Sequence, residues 1–240
     1  VGEDALNFTL TGNYFGQERS FKFRFSLDKA TTRNAFVPRL WASRKIAVLT
    51  DAIRDLGADS GLSTAASSAA DPRARELVEE IVRLSKEYGI LTEYTAFLAR
   101  EGTDLTKPAN ILAEAQKNFD ERAIKTRSGF ASVNQSLNNQ EQRSQVYLKG
   151  RNDYFDAQMN RVEISNVQQM NDRAFYKRGN RWIDSSLVDK SETPPRRIVE
   201  VGSEEFRKLV QRLAAQGRQG TIALNGEILM QVDGETILVR

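Results

Sequence analysis

The stretch TIALNGEILMQVDGETILVR, residues 221–240, anchors the reading of the fold. Asn225-Gly226 and Asp233-Gly234 are dipeptides that supply successive positive-φ positions for tight hairpin turns, and they separate segments rich in Ile, Leu, Val and Met. Three short strands are therefore expected to form an antiparallel meander over 221–240. Upstream, Ser203 with Glu204 and Glu205 opens a helix whose Phe206, Leu209, Val210 and Leu213 share one face and which Gly217 ends. The two acids lie at the positive end of its dipole. Further back, FYKRGNRWID (175–184) sets Gly179-Asn180 between two aromatic-rich arms, a second hairpin. Residues 161–240 thus read as a small C-terminal α+β module, with SSLVDKSETPP (185–195) as a surface excursion inside it.

The N-terminal part has a different rhythm. Leu6, Phe8 and Leu10, then Phe21, Phe23, Phe25 and Leu27, alternate with polar residues, the period of two that puts one row of side chains on one sheet face. TGNYFGQERS (11–20) supplies the turn of this hairpin, which is too small to be stable without further strands. From Asn34 to Gly57 the period becomes helical. Leu40, Trp41, Val48, Leu49, Ala52, Ile53 and Leu56 form the stripe, Thr32 or Asn34 caps it, and Gly57 stops it. After a loop, GADSGLSTAASSAA (57–70), Asp71-Pro72 caps a second helix with Leu77, Ile81, Leu84 and Tyr88 on its buried row and Gly89 at its end. ILTEYTAFL (90–98) is rich in β-formers and reads as a strand. A further helical pattern carries Ile111, Ala115 and Phe119. The Gln/Asn/Ser-rich 129–160 reads as a polar helical or flexible connector. The expected organisation is 1–128, hairpin plus helical region; 129–160, connector; and 161–240, the C-terminal module.

Composition excludes several chemistries. The 240 residues include no His and no Cys, so no Ser-His-Asp or Cys-His catalytic unit, no Cys/His zinc site and no disulfide can form. The formal net charge is +3, with a basic excess in the first fifty residues and an acidic one in the next fifty. Charge so mixed along the chain argues against a nucleic-acid partner, which is bound through clustered Lys and Arg. No apolar run approaches the roughly 18–20 residues that cross a bilayer, and VGEDALNF is not a signal peptide. A chain opening on Val1 suggests a piece of a longer precursor.

LWASRKIAVLTDAI (40–53) and ELVEEIVRLSKEYGILTEYTAFL (76–98) resemble the region that follows the von Willebrand A domain in bacterial relatives of inter-alpha-trypsin inhibitor heavy chains. There an LWA helix recurs with a helix-to-strand LSxKYxxxTxxTSF element, matched here by Leu40, Trp41 and Ala42 and by Leu84 to Tyr88 with Thr92, Tyr94, Thr95 and Phe97. The tail, from DRAFYKRGNRWID to DGETILVR, is similar to the terminal module of large bacterial proteins carrying VIT and von Willebrand A domains. The resemblance implies upstream VIT and von Willebrand A domains as partners within one precursor, an extracytoplasmic setting, and a β-sandwich to which the hairpin returns. The Asp-x-Ser-x-Ser metal motif of the A domain is not in this chain, so no metal ligand and no cofactor is carried over. The Asp-Pro-His-Phe attachment sequence of the animal heavy chains is departed from at Asp71-Pro72-Arg73-Ala74, where helix capping accounts for the residues.

Two clusters are candidates for a structural or interaction role. Tyr88, Thr92, Tyr94 and Thr95 are read as a helix-to-strand junction packed beneath Leu40 and Trp41. Phe175, Tyr176, Arg178 and Trp182, with Lys177 and Arg181, would suit stacking on bases or glycans if exposed, but alternation sends one aromatic row inward. Acidic pairs such as Glu79/Glu80 and Glu204/Glu205 are explained by solvation and the helix dipole. The leading expectation is a non-enzymatic structural and protein-interaction region with an unidentified protein partner. The alternatives are a polyanion-binding module and a carboxylate- or Lys-dependent hydrolase.

Overall fold

The computed structural model describes residues 4–28, 34, 36–59, 71–147, 149–170, 172–190 and 194–240. The chain divides into two units, residues 1–35 and residues 36–240. This division falls at 35/36; the boundaries the sequence suggested were 128/129 and 160/161.

In the first unit, β1 (Ala5–Tyr14) pairs antiparallel with β2 (Gln17–Ser26). Phe15 and Gly16 both have positive φ, 49° and 77°, so the turn takes only these two residues and the strands run deeper into 11–20 than expected. The register sets Leu6 opposite Phe25, Phe8 opposite Phe23 and Leu10 opposite Phe21, which gathers six large apolar side chains on one face. Each of the six is 41–61% exposed.

The second unit is α+β, as expected. Its helices are α1 (Phe36–Asp59), α2 (Pro72–Tyr88), α3 (Pro108–Phe119), α4 (Phe130–Ser144) and α5 (Glu204–Ala215). Its strands are β3 (Arg151–Phe155), β4 (Arg161–Met170), β5 (Arg173–Arg178), β6 (Arg181–Asp184), β7 (Arg197–Val199), β8 (Glu227–Val232) and β9 (Glu235–Val239), in the sheet order β3-β4-β5-β6-β8-β9-β7. β6 runs parallel to β8 and β7 parallel to β9, while the other neighbours are antiparallel. Alternation in β5, β8 and β9 sorts side chains to two covered faces. Ala174, Tyr176, Leu229 and Leu238 join the core built on α1, α2 and α3; Phe175, Met230, Ile237 and Val239 join the one under α5.

The caps act as the sequence indicates. Asp71 accepts from Arg73 N at 2.9 Å, Pro72 begins α2, and Gly89 ends it in the left-handed region. Ser203 Oγ accepts from Phe206 N at 3.0 Å at the start of α5.

Several expectations are corrected. Residues 221–224 do not form the third meander strand: Gln219–Ala223 is a 3-10 turn, and the antiparallel hairpin is β8–β9 alone, extended by parallel β6 and β7. Residues 90–98 are not a strand but a buried turn followed by a 3-10 helix, Ala96–Ala99; Thr95 Oγ1 accepts from Thr92 N at 3.0 Å, and this side-chain closure takes the place of a ladder bond. Of the two readings of 129–160, the polar helix holds for α4, while the flexible connector does not, since α4 packs on α1 and residues 151–155 form β3. Gly57 does not stop α1, which reaches Asp59; it lies where a Cβ would come within 3.1 Å of Ile124 Cγ2. Of the supposed excursion, Ser185–Lys190 is a 3-10 helix with Leu187 and Val188 buried. The Thr32 cap, most of the 57–70 loop and residues 191–193 lie outside the described residues.

Candidate functional site

α1 buries Arg39, Ala42, Ser43, Ile46, Leu49, Thr50 and Ile53. This ridge mixes apolar and polar side chains: α4 lies alongside it, Ser43 bonds Gln145 just past the end of α4, and Arg39 reaches Tyr88 and Lys149. α4 reverses the usual amphipathic rule. Its Val133 is 55% exposed, whereas Asn134, Gln135 and Asn139 are buried. The exchange is stable because a side-chain amide carries both a donor and an acceptor and can complete backbone groups that no strand reaches. Asn138 accepts from Phe155 N at 2.7 Å and donates to Phe155 O at 2.9 Å, closing the end of β3. Asn134 donates to the same carbonyl at 3.0 Å. Asn152, on β3, accepts from Leu91 N at 3.0 Å and donates to Gly89 O at 2.8 Å, which fixes the exit of α2.

Between α1, α4, residues 90–94 and β3 lies a polar cleft that encloses about 50 Å³. Glu93 lines it with its side chain 1% exposed, paired with Arg122 at 3.6 Å and accepting from Asn138 Nδ2. Its Oε1 and the Asn139 Oδ1 have no hydrogen-bond partner among the described residues. Burial pushes the Glu93 carboxyl above its usual range; Arg122, Tyr94 and Asn138 pull it down without cancelling the effect. Tyr94 stacks on Phe119 with ring centroids 4.3 Å apart and donates to Gln135 Oε1 at 2.7 Å. Burial drives its phenol upward as well.

A carboxyl whose folded value is raised favours folding most when protonated. That contribution is complete below the ordinary glutamate value of about 4.3 and disappears as pH rises through the higher folded value. Urea midpoints measured from pH 4 to 8 should therefore show the parent protein losing stability relative to Glu93→Gln as pH increases. A difference between the two that stays constant over that range would reject this origin.

At the other end of the cleft stands Arg39, 6% exposed. Its Nε donates to Tyr88 O at 3.4 Å and its Nη1 to Lys149 O at 3.1 Å. No carboxylate among the described residues lies within ion-pairing distance, and desolvation lowers its pKa to about 10. Lys149, beside it, is held by Glu141 and Asp153, each at 3.2 Å.

The structure brings some sequence candidates together and separates others. Thr92, Tyr94 and Thr95 form one buried knot with Ser85, whereas the Tyr88 carbonyl is bonded elsewhere, accepting from Arg39 and Gln169. Trp41 does not cover this knot. It is 51% exposed and lies on the outer side of α1, where with Leu40, Val37, Val48 and Val146 it borders a shallow groove. The apolar stripe read from 40–56 was therefore rotated: the inward ridge includes Arg39, Ser43 and Thr50, polar residues that a hydrophobicity pattern discounts.

Phe175, Tyr176 and Trp182 are all buried, so both aromatic rows of the 175–184 hairpin point into core rather than one. Enclosed on two sides, these rings cannot stack on a base or a sugar. Tyr176 instead donates to Ser85 O and Lys86 O, each 3.0 Å away, and Arg178 to Leu98 O at 3.0 Å, so β5 ties down α2 and the 96–99 turn. Arg39, Glu93, Asn138 and Asn152 went unnoticed in the sequence. A signal existed for Arg39, which lies one heptad before Ile46 and two before Ile53 on the buried ridge.

Among the described residues, no helix is long and apolar enough to cross a membrane. No protein-family model, curated protein or solved structure matches the chain.

Proposed function

We propose that this chain is a non-enzymatic structural and protein-interaction region of an extracytoplasmic VIT/von Willebrand A-type protein. The 36–240 unit is the scaffold and the hairpin is the docking element. The observation that carries this reading is how the polar groups of the 88–95 motif are used. Thr92 and Thr95 bond each other, Tyr94 bonds Gln135 Oε1, and Asn138 and Asn152 complete neighbouring backbone groups, with Asn138 also donating to Glu93, so these polar groups are spent on holding the chain in place, which is the work of a scaffold. The hairpin supports the second half of the reading, with six apolar side chains on one face of a two-stranded ribbon that needs a cover. The motif resemblance at 40–53 and 76–98 supplies the kind of cover, a β-sandwich of the same precursor.

The test is to mix the purified chain with a VIT–von Willebrand A segment of that precursor and follow complex formation by light scattering after gel filtration. The complex should form with the parent chain, and Phe8→Glu/Phe23→Glu should weaken it about 100-fold or more, since two fully buried aromatic rings each contribute about 1.5–3 kcal/mol. A screen for ester, phosphoester, glycoside and peptide hydrolysis should stay at the buffer rate. Turnover that vanishes in Glu93→Gln would overturn the reading in favour of a carboxylate-dependent hydrolase.

A further inference from the structure

We propose that the Arg39 end of the polar cleft is a binding site for a small oxyanion, with the carboxylate of a ligand as the group it takes. The premise is electrostatic. A buried cation is ordinarily paired, because removing a charge from water is costly unless an opposite charge and hydrogen bonds replace the lost solvation. Arg39 is 6% exposed, yet carbonyl oxygens of Tyr88 and Lys149 are its hydrogen-bond partners among the described residues. Two carbonyl dipoles engage two of the five N–H donors of a guanidinium, and its Nη2 makes no bond to a described residue.

The acids nearest in the cleft do not supply the missing charge. Glu141 and Asp153 are both engaged by Lys149, and Asp153 also by Arg161. Glu93 belongs to Arg122. The charge vacancy is thus local to Arg39.

Shape and chemistry select the ligand class. A guanidinium presents its donors as a planar fork, which a carboxylate matches with two parallel hydrogen bonds. Ser43, one turn along α1, has its hydroxyl directed to Gln145 Oε1 at 3.1 Å, so the wall beside Arg39 is polar and fixed in place. The site does not involve the hairpin and stands independently of the docking role proposed above.

The experiment is a thermal melt of the full chain in acetate, in inorganic phosphate and in chloride, all at equal ionic strength, for the parent protein, Arg39→Met and Arg39→Lys. The parent melting temperature should rise in acetate relative to chloride by roughly 3–5 °C at ten times the dissociation constant. Arg39→Met removes the charge while keeping the aliphatic stem. Two carbonyls lose a donor, one of which keeps Gln169, so the variant should melt no more than a few degrees below the parent in chloride and show no acetate shift. Arg39→Lys, which keeps the charge but loses the fork, should retain less than half of it. A shift in phosphate but not in acetate would replace the carboxylate with a phosphoryl group as the ligand. The proposal is overturned if Arg39→Met responds to acetate as the parent does, or if the parent responds to neither anion. It is also overturned if Arg39→Met is strongly destabilised in chloride, which would identify Arg39 as a clamp for two carbonyls.

Discussion

Replacing Gly89 with alanine is expected to lower the unfolding free energy by about 3–4 kcal/mol, which in a unit of this size drops the melting temperature by roughly 10 °C. Two costs combine. Gly89 ends α2 with φ of 58°, where an L side chain is strained by roughly 1–2 kcal/mol. The new methyl would also stand 2.5 Å from Ala174 Cβ and 3.1 Å from Val167 Cγ1, when carbon pairs settle at about 3.5–4.0 Å. Ala174 has no rotamer with which to retreat, so β4 and β5 must shift against the helix end, a change that overpacked cores resist by about 1–3 kcal/mol. Gly102→Ala is the control, because a Cβ there meets nothing within 4 Å. Urea unfolding of both variants measures the contrast. A Gly89→Ala protein within about 1 kcal/mol of the parent would mean that the sheet yields easily at this junction.

Asn152→Ala should cost roughly 3 kcal/mol, because two buried backbone groups lose their partners and each unpaired group costs about 1–3 kcal/mol. The groups are Leu91 N–H and Gly89 C=O, both bound by this single amide. Amide hydrogen exchange locates the effect as well as sizing it. The Leu91 amide should exchange about 100-fold faster, by the conversion of 1.4 kcal/mol per decade. Asn152→Asp keeps the acceptor for Leu91 and sets a carboxylate against the Gly89 carbonyl, so it should preserve the first bond and lose the second. If Asn152→Ala unfolds at the parent urea concentration, packing alone holds 89–91, and the amide network of the cleft is not what orders it.

These two positions show where sequence reading succeeded and where it stopped. Gly89 announces a helix end because it follows an apolar row that closes at Tyr88, and helix termination is a local event. That the same glycine touches Ala174 is written nowhere near it. Asn152, Asn138 and Asn134 were read as parts of a polar connector, since amide side chains far outnumber apolar ones there. Their burial follows from the contents of the neighbouring segments: β3 and the 89–94 turn present backbone groups that need partners, and amides provide them. Residues 90–98 failed as a strand for a related reason. The β-forming residues are there, but Thr92 and Thr95 close the chain on itself, and local side-chain hydrogen bonds compete with ladder formation. Trp41 lies outside the buried ridge and Arg39 on it because hydrophobicity marks a helix face only when the buried neighbours are themselves apolar.

By itself the sequence determined the N-terminal hairpin, the starts of α2 and α5, the Gly179-Asn180 and Asp233-Gly234 turns, and the absence of imidazole and thiol chemistry. All of these depend on residues within a few positions of one another, or on composition. Tertiary structure alone decided that β6 and β7 extend the last hairpin in parallel, that both aromatic rows of 175–184 are enclosed, and that Arg39 and Glu93 face one cleft. Each of those outcomes depends on partners up to about a hundred residues away, whose contribution to burial and hydrogen bonding exists only once the chain has closed.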